Sequence, residues 1–232
     1  MEAGSAPTTA AAAPALQGFL QRVFAWMFAG LAVTAIAAGL IGSSDSLLTD
    51  ITANPVVFLG VIVAQLALVI ALSLAINRIS VPVATLMFFL YAALNGVIFA
   101  LIFELYTAQS IFTTFLIAAG MFGILAVIGA TTDRDLSKLG TILYVALFGL
   151  IAASVVNLFV ASSGLYWITT YAGVIIFSGL IAYDMQKLKQ MAQAGVGEGE
   201  AADRQAILGA LALYLDFINL FLYLLRIFGK RR

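Results

Sequence analysis

Two aspartates stand where lipid-like sequence leaves little room for charge. Asp216 interrupts the run "LYLDFINLFLYLLR" (213–226), and Asp184 lies in "IAYDMQKLK" (181–189). At a helical step of about 100° per residue, Asp216, Asn219, Tyr223 and Arg226 fall within roughly an 80° stripe. Gly209 and Ala212 continue that stripe toward the N-terminus, and the remaining faces are Leu, Phe and Ile. An aspartate at the centre of a membrane helix costs roughly 2.5–3.5 kcal/mol on insertion scales. It therefore needs a partner or a proton, and the polar stripe should face other helices or a water-filled path. If Asp184 and Asp216 meet in a dry interior, they keep one negative charge and one proton between them. Loss of that proton creates repulsion and separates the two helices, and a nearby Arg78 is then the candidate cation to capture the freed carboxylate. Such a pair is a pH sensor made without histidine.

Each of these residues also has a plainer reading. Asp184 lies three residues before Lys187, so an interfacial ion pair is open to it. Asp216 could serve as a structural hydrogen bond between helices. Arg78 also reads as a topology anchor, and Glu104 as an interfacial residue at the end of the third span. Asn219, Tyr223 and Glu104 are retained as candidate pore or gate neighbours.

The elements that must position these groups are membrane helices. The chain is 63% hydrophobic and 9% charged, with 11 Lys+Arg against 11 Asp+Glu. Soluble domains average about 45–50% apolar and ~25% charged residues. The composition implies an all-α integral membrane protein whose first partner is the lipid bilayer. The charge balance supplies no basic field for nucleic acid. With no Cys and no His, thiolate chemistry, Cys/His zinc sites and imidazole catalysis are excluded.

A span needs about 20 apolar residues. Seven runs meet or approach this, near 20–41, 55–77, 82–105, 109–131, 139–161, 166–187 and 205–228. Residues 1–17, rich in Ala, Thr and Pro, read as a flexible tail, and 18–232 as a single membrane domain. "QAGVGEGEAADRQ" (193–205) reads as the one long mobile loop. The loops after spans two, four and six carry Arg78, then Arg134 and Lys138, then Lys187, Lys189 and Arg204, whereas those after spans one, three and five carry none. This bias predicts a cytoplasmic N-terminus. "GKRR" (229–232) opposes the bias. Seven full crossings are preferred over a re-entrant last segment, because the apolar run is long enough to span. Small residues in "GLAVTAIAAG" and "GMFGILAVIG" predict close helix approach in spans one and four.

The stretch "LYLDFINLFLYLLRIFG" (213–229) resembles the signature of the transmembrane Bax inhibitor motif family. "AYDMQKLK" (182–189) is similar to the end of that family's sixth span, and "DLSKLG" (135–140) to its loop between spans four and five. The resemblance implies six helices around a central seventh. It also implies, for a bacterial inner-membrane member, a pH-sensitive calcium leak channel and not an enzyme. Its paired aspartates match Asp184 and Asp216, and its span-two arginine matches Arg78, placed by the distance to Gly96. The sequence departs from some members in "VAQLALVIAL" (63–72), which has no acid; Gln65 is the nearest polar group. Calcium takes about 6–8 oxygen ligands, so Asp184 and Asp216 would make only weak, transient contact with it as a transported ion, and no bound cofactor is expected. Two competing functions are a regulator that binds other membrane proteins, through the N-terminal tail and the 193–204 loop, and an intramembrane aspartyl protease. The Gly-x-Gly-Asp pattern of presenilin-like proteases is absent, since Asp216 follows "LYL".

Overall fold

The computed structural model describes residues 9–194 and 199–232 of the chain. They form eight helices: α1 (Thr9–Gly42), α2 (Asp45–Ala53), α3 (Pro55–Ala75), α4 (Val81–Leu105), α5 (Ala108–Thr131), α6 (Ser137–Val160), α7 (Ser163–Gln193) and α8 (Glu200–Phe228). Seven of these are long and apolar enough to cross a membrane. Among the described residues there is no strand, only an isolated bridge between Tyr106 and Arg231. In the most apolar window of α8, 67% of the residues are buried, against 6% for α3. Of the seven spans, the last has the most buried window.

Local chemistry sets the helix ends. The Asn54 side chain accepts from the amides of Val56 and Val57, and Pro55 opens α3 where its missing N–H costs nothing. Thr107 caps α5 by accepting from Ser110 N. Ala161 closes α6 in the left-handed region at φ 50°, and the Asn157 carbonyls secure the turn: its main-chain oxygen accepts from Ala161 N and its Oδ1 from Ser162 N. Glu200 and Asp203 in the first turn of α8, and Arg226 in its last, match the helix dipole.

Three expectations are adjusted. Residues 9–17 of the expected tail are helical, because "TAAAAPALQ" is dominated by alanine, the strongest helix former; residues 1–8 lie outside the described residues. The 193–205 loop is shorter than expected. The helix α7 runs to Gln193 and α8 starts at Glu200, while residues 195–198 lie outside the described residues. The linker after the first span contains α2, capped by the Ser44 side chain on Leu47 N and with no buried residue.

The chain divides into two compact units, Met1–Leu101 with Leu188–Leu211, and Ile102–Lys187 with Ala212–Arg232. In the first unit, α1 and α4 approach closely. Gly96 leaves no space for a Cβ beside Ala37, Thr34 O and Ala38 N, and Thr34 Oγ1 donates to Ala92 O at 2.9 Å. The start of α8 secures the turn between α3 and α4: Arg204 Nη1 donates to Ile79 O at 3.0 Å and Gln205 Nε2 to Asn77 Oδ1 at 3.1 Å. Arg22 pairs with Asp203 at 3.1 Å. Both side chains are substantially exposed, so this pair adds little stability.

In the second unit, Gly129 of α5 meets the backbone of Ala182 on α7, and Gly179 of α7 receives Leu143 of α6. Phe217 of α8 stands edge-on to Phe115 and Phe122 of α5, with centroids 5.6 and 5.7 Å away. The last residues fold onto the turn between α4 and α5. Thr107 N donates to Lys230 O and Arg232 N to Leu105 O, both at 3.1 Å, and Lys230 N donates to Ser110 Oγ at 3.0 Å. The helix α8 itself runs unbroken from Glu200 to Phe228. At 29 residues, the last span is long and apolar enough to cross a membrane.

Candidate functional site

Asp184 and Asp216 reach one another in the second unit. On α7, Lys187 is exposed while Ile181, Met185 and Leu188 are buried, which turns Asp184 inward. On α8, buried Leu213, Phe217 and Leu220 flank Asp216. Each aspartate is only 5% exposed, and the two carboxyls interact with one another. Two carboxylates offer acceptors only, so this contact holds when one of them carries a proton. Among the described residues no N–H or hydroxyl reaches Asp216 Oδ2, which leaves the facing carboxyl as its polar neighbour.

Side chains from α5 and α6 hold Asp184 in place. Seating of Gly129 against Ala182 fixes the backbone two residues before it. Tyr183 packs over Gly140 of α6, where a Cβ would meet its ring, and stands edge-on to Tyr144 at 6.0 Å. Tyr144 then donates its hydroxyl to Asp184 Oδ1 at 3.3 Å. Two residues further along, buried Gln186 pins the loop between α5 and α6. Its Nε2 donates to Arg134 O at 2.8 Å, and its Oε1 accepts from Leu136 N at 2.9 Å. Gln186→Ala is expected to free this loop, with hydrogen exchange at the Leu136 amide accelerating on the order of tenfold for the loss of its bond. Exchange measured on the purified protein checks this. Asp135 in the same loop is held below the ordinary carboxyl range by the Ser137 hydroxyl and then by its backbone N–H, so it stays charged through the neutral range and is no pH sensor there.

The other expected site residues lie elsewhere. Asn219 is half-buried and donates to Leu215 O of its own helix at 2.8 Å. Tyr223, two turns beyond Asp216, lies over Gly173 and stacks on Phe177 at 5.9 Å. Two members of the polar stripe of α8, Asp216 and Tyr223, therefore meet α7. Glu104 is exposed in the last turn of α4, and Arg78 is exposed in the turn between α3 and α4, in the first unit. The alternative pairing of Asp184 with Lys187 is not formed: among the described residues the only side-chain ion pair is Arg22–Asp203. No group of three acidic side chains converges among the described residues.

Tyr144 and Gln186 were not singled out in the sequence. A lone tyrosine inside "GTILYVALFG" has a weak signal there, four residues after Gly140 and on the same helix face. Nothing in the sequence around Gln186 distinguishes it from the surface residues that follow.

The sequence matches the protein family described as "Inhibitor of apoptosis-promoting Bax1" over residues 16–232. The chain belongs to the Bax inhibitor family. Among Bax inhibitor relatives, "Inner membrane protein YbhL" of Escherichia coli strain K12 is 49% identical over 218 residues, covering 94% of this chain and 93% of its own. A protein of Borreliella burgdorferi is 45% identical over 214 residues, 92% of each chain. One of Deinococcus radiodurans is 43% identical over 213 residues, 92% of this chain and 90% of its own. The Bax inhibitor match includes both aspartates, Tyr144, Gln186 and all seven membrane helices.

Proposed function

We propose that this Bax inhibitor protein is a pH-sensitive calcium leak of the bacterial inner membrane, gated by Asp184 and Asp216. The observation that carries the reading is the burial of both carboxyls in mutual contact. With one proton between them, the pair joins α7 to α8. When rising pH removes that proton, two negative charges face each other. At about 4 Å and an effective dielectric of about 20, that repulsion is on the order of 4 kcal/mol. Separation of the helices relieves it, so flux rises with pH.

The pair is also the attractive point for a cation. Two carboxyls with no third acid beside them hold calcium weakly, as a partly hydrated ion, and weak holding is what conduction needs. The inner-membrane location is supported by the name of the Escherichia coli relative, "Inner membrane protein YbhL". The cytoplasmic N-terminus is supported by the basic residues Arg78, Arg134, Lys138, Lys187, Lys189 and Arg204 on alternate loops.

The test is calcium release from liposomes that hold the purified full-length protein, measured as pH is raised through the neutral range. Flux above empty liposomes, increasing with pH, is the expected result. Absence of protein-dependent flux at every pH would sink the reading and favour a regulator that acts by binding other membrane proteins.

A further inference from the structure

Between α1 and α3 the chain forms the nine-residue helix α2, "DSLLTDITA". At about 100° per residue, Leu47, Leu48 and Ile51 fall within roughly a 100° arc. Asp45, Ser46, Thr49 and Asp50 take the opposite side, so the helix is amphipathic. It packs on α1 and α3, which leaves Leu48 and Ile51 half-buried and Leu47 47% exposed. Helices shorter than about 12–15 residues are marginal in water. The local bonds of α2, Leu47 N to Ser44 Oγ at 3.5 Å and Thr52 Oγ1 to Leu48 O at 2.8 Å, secure its turns but do not cover its apolar face.

The place of α2 in the chain fixes its depth. Both flanking helices are long and apolar enough to cross a membrane. Because α1 ends at Gly42 and α3 begins at Pro55, only residues 43–44 and 54 link α2 to them. Fully extended, those links reach roughly 7 and 4 Å, short against a hydrocarbon core of about 30 Å. The helix is therefore held at the membrane surface where α1 ends. Beyond Asn54 an exposed apolar surface resumes at once in α3, with Val56, Val57 and Leu59. Charge does not seat α2. Between Arg22 and Arg78 the chain has no basic residue, while α2 itself carries Asp45 and Asp50, so anionic headgroups do not attract it.

We infer that α2 lies in the plane of the membrane as an interfacial helix, with the side of Leu47, Leu48 and Ile51 resting on the boundary between phospholipid headgroups and acyl chains. Helices of this kind settle about 5–10 Å into that boundary. The lipid supplies the apolar cover that so short a helix needs, and it reaches Leu47 while Leu48 and Ile51 rest partly on protein. The carboxylates of Asp45 and Asp50 stay in water. Seated in this way, α2 holds the adjoining ends of α1 and α3 at headgroup level. This contact is independent of the proposed calcium leak.

The chain contains no cysteine, so one substitution provides one attachment point for a fluorophore. Full-length Leu47→Cys and Thr49→Cys proteins, labelled and placed in phosphatidylcholine liposomes, are compared by quenching with iodide in the water and with brominated phosphatidylcholine in the bilayer. The label at position 47 is expected to be quenched severalfold more by the brominated lipid than the label at position 49, with the order reversed for iodide. Equal quenching at the two positions overturns the interfacial helix in favour of one surrounded by water. Shielding of position 47 from both quenchers also overturns it, and assigns the face to a second copy of the chain. A parallel measurement needs no substitution. Wild-type protein in liposomes that contain a phospholipid with a photoreactive diazirine beside its headgroup should acquire lipid adducts within residues 45–53, mapped by mass spectrometry. Adducts on α3 with none on α2 overturn the proposal.

Discussion

Liposomes carrying Asp216→Asn protein are expected to leak calcium slowly at every pH and to lose the rise seen with the wild type. Asparagine has the shape of a protonated aspartic acid and cannot ionise. Its amide can donate to the Asp184 carboxyl permanently, which imitates the joined state. The closing interaction then no longer depends on a proton. The repulsion removed is on the order of 4 kcal/mol, an upper bound on the change in the opening equilibrium. At high pH the flux should fall on the order of tenfold relative to wild type, within that bound. Asp184→Asn should abolish the pH response in the same way, while also removing the charge that Tyr144 donates toward. A pair of variants that both follow pH as the wild type does would remove the gate.

Gly129→Val is expected to lower the thermal stability of the purified protein sharply, whereas Gly123→Val should leave it nearly unchanged. Both glycines lie in "GMFGILAVIG" on α5. A Cβ at position 129 would collide with the backbone of Ala182, which has no side-chain rotamer to give way. Overpacking of this kind costs about 1–3 kcal/mol. A Cβ at position 123, or at 120, meets nothing, since those positions are open at the helix surface. The same collision pushes α7 away from α5 two residues before Asp184, so Gly129→Val should also raise the leak at low pH. Thermal unfolding in detergent compares the variants, and equal midpoints for the two valine proteins would contradict the assigned close contact.

These two results separate what each level of description supplies. The seven membrane helices were legible in the sequence, because the cost of exposing polar groups to lipid demands long apolar runs whatever packs against them. The inward direction of Asp216 was legible for the same reason, since the apolar faces of α8 leave one stripe for polar groups. What faces that stripe was not. Periodicity reports an angle around one helix axis and carries no information about its neighbours. Tertiary structure alone brought Asp184 to Asp216, Tyr144 to Asp184, and Gln186 to the backbone at 134 and 136. It also distinguished Gly129 from Gly120 and Gly123, which are chemically identical in sequence and differ only in having another helix beside them. The end of the chain follows the same rule. "GKRR" was ambiguous as a string of charges, and only the structure showed its backbone paired with the turn that ends α4.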